Sequence, residues 1–219
     1  MSLLSDVWAL CQKEAQLEWR QKHGLNGLLL YIGSTIFVVY MAFMEVEPIT
    51  WMTVWWIILL FASANAVAKS FLQESDGRQL YHYLLVSPQA IILSKMLYNA
   101  LLLLLIAAIG LGVYSVLLGN PVRKLPIFLV GVALGAISFS TTFSMASAIA
   151  FKAGKGSTLM PILSFPIIIP LIVLLVRVSA ASLMVMEDVN LNQNISVLLA
   201  INVLIVALAL ILFPYLWKE

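Results

Sequence analysis

Apolar residues fall into six long runs along this chain, separated by short polar segments. A helix needs roughly 20 successive apolar residues to cross a bilayer. The runs cover about residues 27–44, 49–68, 90–118, 126–150, 158–180 and 195–217, and they predict six transmembrane helices. The third run is longer than one crossing needs, so it is expected to tilt or to extend beyond the membrane.

Residues 1–24 follow a different pattern. At about 100° per residue, Leu3, Leu4, Val7, Trp8, Leu10, Cys11, Ala15 and Leu17 share one broad face, with Lys13, Gln16 and Arg20 opposite. This predicts an amphipathic helix over about 2–22, lying in the membrane interface. Glu14 and Glu18 interrupt the apolar arc and are expected to contact another subunit. Gly24, Asn26 and Gly27 then predict a turn into the first span.

Composition points the same way. Of 219 residues, 63% are hydrophobic and 10% charged, against about 25% charged in a soluble domain. A globule of this size has too little polar surface to cover that much apolar matter. The fold class expected is all-α: a polytopic membrane protein forming one transmembrane domain over 1–219, without a soluble domain or internal repeat. No cleavable leader is expected, because the first 24 residues are polar and charged. The net charge of +2 does not imply nucleic acid as a partner. The single cysteine, Cys11, excludes an internal disulfide and a cysteine-based metal cluster.

The basic residues orient the spans. With the N-terminus inside, the inner segments hold Lys13, Arg20, Lys22, Lys69, Arg78, Lys95, Lys152, Lys155 and Lys218, and the outer side holds Arg123, Lys124 and Arg177. Nine against three satisfies the positive-inside rule. Six spans return the C-terminus to the same side, so both termini are expected to be cytoplasmic.

The longest hydrophilic stretch, 69–89, lies between the second and third runs. Asp76-Gly77 is a turn signal. Leu80, Tyr83, Leu84 and Ser87 repeat at helical spacing, and Pro88 is expected to end the helix. A short amphipathic helix framed by charges results, read either as a membrane-surface loop or as a docking element. The fifth run contains Pro161, Pro166 and Pro170. Each proline removes a backbone donor, and in lipid the freed carbonyls need protein or water partners. A kinked or broken helix facing the protein interior or a cavity is expected. In the fourth run, Gly131 and Gly135 precede Ser138, Ser140, Thr141, Thr142, Ser144 and Ser147. This spacing predicts close helix packing with hydroxyls bonding across the contact. Trp51, Trp55 and Trp56 are expected to form an aromatic belt at the outer interface.

Some chemistry is excluded. Gly154-Lys155-Gly156-Ser157-Thr158 lacks the spacing of a phosphate-binding loop, so the chain has no visible ATPase site. The spans contain no paired carboxylates, nucleophile–base set or metal cluster. An embedded hydrolase or a proton-coupled carrier would need ionisable groups at depth.

An acidic residue, a Gly, a leucine-rich stretch, Ser87-Pro88 and then Lys95 opening the next span resemble the inner loop of ABC-2-type transporter permeases. A second region runs Ala150-Phe-Lys152-Ala-Gly154-Lys-Gly156 and then Leu-Met-Pro161 through Pro166 to Pro170. With it, the chain resembles the heme exporter protein B (CcmB) family of cytochrome c maturation. The resemblance implies that 72–89 is a coupling helix, with Glu74, Asp76, Gly77, Leu80 and Leu84 docking into a separate, CcmA-like ATP-binding subunit. It implies a second copy of the chain, other cytochrome c maturation membrane subunits as partners, and a bacterial inner-membrane location. Heme enters as a transported or handled substrate and not as a cofactor held by this chain's own ligands. The histidines, His23 and His82, both fall on the expected inner side, away from exported heme. Pro161, Pro166, Pro170 and Arg177 are then candidates for the substrate path. Arg177 serves either as an interfacial anchor or as a site for an anionic group such as a heme propionate. The same pattern also fits an ABC-2 permease for a lipid, polysaccharide or drug, or a non-transporting membrane scaffold.

Overall fold

The computed structural model describes residues 3–21, 23–43, 45–72, 87–153, 156–183 and 190–218. The described residues form helices only: α1 (Leu3–Gln21), α2 (His23–Ala42), α3 (Pro48–Leu72), α4 (Pro88–Leu118), α5 (Leu125–Lys152), α6 (Gly156–Leu183) and α7 (Leu191–Lys218). Helices α2 to α7 are each long and apolar enough to cross a membrane. The chain is therefore a polytopic membrane protein, as its apolar runs predict.

Proline sets where several spans begin. Pro88 opens α4, with Ser87 as the N-cap accepting a bond from the Ala90 amide at 3.4 Å. Proline suits this place because its missing donor would be unpaired there in any case. It thus starts this helix; the residues before Ser87, through 73, lie outside the described residues. At 31 residues and about 1.5 Å per residue, α4 exceeds a hydrocarbon core of roughly 30 Å, as expected.

The centre of the bundle is α5, which packs against α3, α4, α6 and α7. Its small residues make this possible. A β-carbon at Gly135 would lie 2.5 Å from the Trp56 ring, and one at Gly131 would lie 3.3 Å from Val178. The close packing predicted from small-residue spacing is therefore realised within one chain.

The tryptophans do not form the expected belt. Trp51, Trp55 and Trp56 are all buried. Trp51 stacks against Tyr114 and Phe128 at 4.8 and 5.6 Å between centroids. Its indole N–H donates to the Gly119 carbonyl at 3.0 Å, and the Tyr114 hydroxyl donates to the Trp51 carbonyl at 2.9 Å. Trp56 donates to the Ser179 hydroxyl at 2.9 Å. The Trp51 and Trp56 indoles find acceptors inside the bundle, so neither needs the wet interface, whereas Trp55 Nε1 is buried without an acceptor among the described residues. Gly119, at φ 77°, ends α4 in a left-handed conformation that glycine tolerates.

Helix α1 packs mainly on α4 and more lightly on α2. Its broad apolar face divides in two. Val7 and Cys11 are buried against the bundle, while Leu4 and Trp8 are exposed, available to lipid. The expected turn at Gly24, Asn26 and Gly27 is replaced by helix, since α2 already starts at His23. The Glu18 carboxylate sits over Gly24, where a β-carbon would collide with it.

Candidate functional site

Three regions can carry function. The first is the expected docking segment. Glu74, Asp76, Gly77, Leu80 and Leu84 lie outside the described residues. The helices that flank them are described, with α3 reaching Leu72 and α4 starting at Pro88. Close to that end of α4, Lys95 is buried and forms an ion pair with Glu14 of α1 at 3.7 Å. Glu14 therefore turns to its own chain, where the sequence pattern suggests another subunit. A charge is costly inside an apolar run unless it finds a partner, and folding α1 back onto α4 supplies one. The pair was legible only as a lysine misplaced in an apolar run. Burial, and next the Glu14 charge, push the Cys11 thiol above its ordinary range.

The second region is α6. Pro161, Pro166 and Pro170 lie within one continuous helix, not a broken one. They do not face the interior of this chain, because all three are exposed, as is Arg177. Pro166, Pro170 and Arg177 share a stripe with the exposed Ile162, Ile169 and Val173; Pro161, exposed near the start of α6, lies off that stripe. The opposite face, including Ile168, Leu171, Leu175 and Val178, is buried in the bundle. Pro166 and Pro170 leave the carbonyls of Ile162 and Pro166, four residues earlier, without their helical donors, on this outward stripe. Arg177 is six residues from Leu183, the last residue of α6, or about 9 Å along the axis.

The third region is a polar seam within the bundle, where the hydroxyls of α5 bond across the helix contacts as their spacing predicts, and where two partners, Asn99 and Asn202, had not been singled out. The Asn202 amide donates to the Ser138 hydroxyl at 2.8 Å, and the Thr141 hydroxyl reaches the Asn202 carbonyl oxygen at 3.2 Å. Asn99 donates to the Ser144 hydroxyl at 3.0 Å, and Ser140 donates to the Met96 carbonyl at 2.8 Å. These bonds tie α5 to α4 and α7. Asn99 Oδ1, Thr142 Oγ1 and Ser147 Oγ are buried without a hydrogen-bond partner among the described residues. The signal available in the sequence was a lone asparagine in each of two long apolar runs, since an amide at that depth seeks a partner across helices.

No group of three or more His, Cys, Asp or Glu positioned for a metal occurs among the described residues. The model of the family described as CcmB protein matches residues 5–215, nearly the whole chain. No curated protein matches it.

Proposed function

We propose, from the premise that the chain belongs to the CcmB family of heme-exporter membrane components in cytochrome c maturation, that it is the permease subunit of an ATPase-driven complex. The complex exports or handles heme. The chain has no ATPase site of its own and takes its power from a separate ATP-binding subunit docked on 72–89 through Glu74, Asp76, Gly77, Leu80 and Leu84. It resides in the bacterial inner membrane with both termini cytoplasmic, beside a second copy and other maturation subunits.

The observation that carries the reading is the outward stripe of α6. A membrane-crossing helix that turns Pro166, Pro170 and Arg177 away from its own chain is poorly suited to lipid tails. Freed carbonyls need donors, and a guanidinium needs an anion or water. A partner subunit or a hydrated path meets both needs, and an anionic heme propionate suits Arg177.

The test is purification of the chain with its ATPase, followed by a structure with heme. ATPase co-purification, its loss in Gly77→Pro, and heme density beside α6 are expected. If no ATPase co-purifies and Gly77→Pro still supports cytochrome c maturation, the coupling assignment is wrong. Heme density remote from α6 and Arg177 would overturn the path.

A further inference from the structure

A slot of about 420 Å³ separates α1 from the start of α2 and the middle of α4. That volume lies within the range of roughly 300–1,000 Å³ typical of small-molecule sites. Its lining is graded. Glu18, Asn26 and Tyr98 supply polar groups where α1 crosses α4, and Leu101, Leu102 and Leu105 continue along α4. Tyr98 to Leu105 spans about 10 Å of helix axis. Leu101 and Leu105 are about half exposed, at 49% and 52%, so the apolar end opens sideways onto the surroundings of a membrane-crossing helix. A ligand can enter it from the bilayer without passing through water.

The charge at the polar end narrows the choice. Of the two acidic residues that α1 turns toward α4, Glu14 is engaged by Lys95. Glu18 makes no ion pair among the described residues, is half buried, and lines the slot. Arg20 is exposed and, two residues on, points to the opposite side of α1. Among the described side chains the polar end is therefore anionic. It repels a heme with its carboxylates and a phospholipid whose head carries only negative charge.

We infer that this slot holds one phospholipid of the ethanolamine type, from the leaflet in which α1 lies. Its ammonium group meets Glu18, with Asn26 and the Tyr98 hydroxyl beside the head. One acyl chain runs along Leu101, Leu102 and Leu105. The lipid fills the space under α1, so the strap and the span after the docking segment pack through a bilayer component. This assignment does not depend on heme handling or on the ATPase.

The test uses the full chain in nanodiscs of equal phosphatidylethanolamine and phosphatidylglycerol. Release into mild detergent and native mass spectrometry then count retained lipid. Wild type is expected to retain phosphatidylethanolamine about fivefold over phosphatidylglycerol, the upper range for a partly exposed ion pair. Glu18→Gln should remove that preference while lipid is still retained. Leu105→Trp, at an exposed position, should lower retention of both lipids. In wild type, Cys11, which lines the slot, should react with maleimide more slowly in phosphatidylethanolamine discs than in phosphatidylglycerol discs. Equal retention of the two lipids by wild type, an unchanged preference in Glu18→Gln, or heme bound in place of lipid would each overturn the assignment. The wild-type lipid comparison needs no variant to fold.

Discussion

Gly135→Ala places one methyl group at a tight helix contact inside the bundle. The new carbon would lie 2.5 and 2.7 Å from two atoms of the Trp56 ring and 3.4 Å from Leu175. Carbon atoms rest at about 3.5–4.0 Å, so the indole must retreat by roughly 1 Å. It has little room, because Trp56 is 1% exposed, packs edge-on against Phe139 and donates to Ser179. Overpacking costs about 1–3 kcal/mol, and weakening the indole bond adds about 1 kcal/mol. Alanine returns about 1 kcal/mol of helix propensity. The expected loss is therefore about 1–3 kcal/mol, measured by reversible unfolding of the purified protein in detergent. Gly112→Ala is the control, because nothing lies within 4 Å of its β-carbon; it should be neutral or stabilising by up to about 1 kcal/mol. Trp56→Phe removes the colliding ring atoms, so its effect should not add to that of Gly135→Ala. If the two glycine variants behave alike, or if the Gly135 and Trp56 effects add within about 0.5 kcal/mol, the packing argument is refuted.

Two further outcomes follow from α1. Glu14→Gln removes the Glu14 carboxylate from beside the buried Lys95 ammonium; losing one member of a well-formed buried pair costs about 3–5 kcal/mol. The contact here is long, at 3.7 Å, so about 1–3 kcal/mol is expected, with faster proteolysis of α1. Swapping the charges with Glu14→Lys and Lys95→Glu should recover much of it, and a coupling below about 0.5 kcal/mol would count against the strap. Cys11 should alkylate more slowly at pH 8 than a free thiol, because the thiolate reacts and burial, followed by the Glu14 charge, raises its pKa above that of an ordinary thiol. Its rate should therefore climb only at higher pH, and Glu14→Gln should move the climb to lower pH. A profile matching that of the unfolded chain would refute this.

The six spans were legible in the sequence because a bilayer imposes a length and a composition on anything that crosses it, and both are one-dimensional quantities. The family was legible too, in the region around Gly154 to Pro170 and in the layout of the whole chain. Which face each helix turns inward was not. The spans are apolar all round, so hydrophobic pattern cannot separate lipid-facing from protein-facing positions. The tryptophans near Trp51 therefore read as a belt, and only the tertiary structure buried them against Tyr114, Phe128 and Ser179. The prolines of α6 read as interior, yet they face out, because the small residues of α5 claim the other side of that helix. Glu14 read as reaching for a neighbour, and the fold gave it Lys95, a partner 81 positions away along the chain. Sequence alone determined that the chain crosses the membrane and how often. Tertiary packing decided which polar groups are satisfied within the chain and which are left for a partner or a lipid, since those pairings depend on contacts between helices remote in sequence.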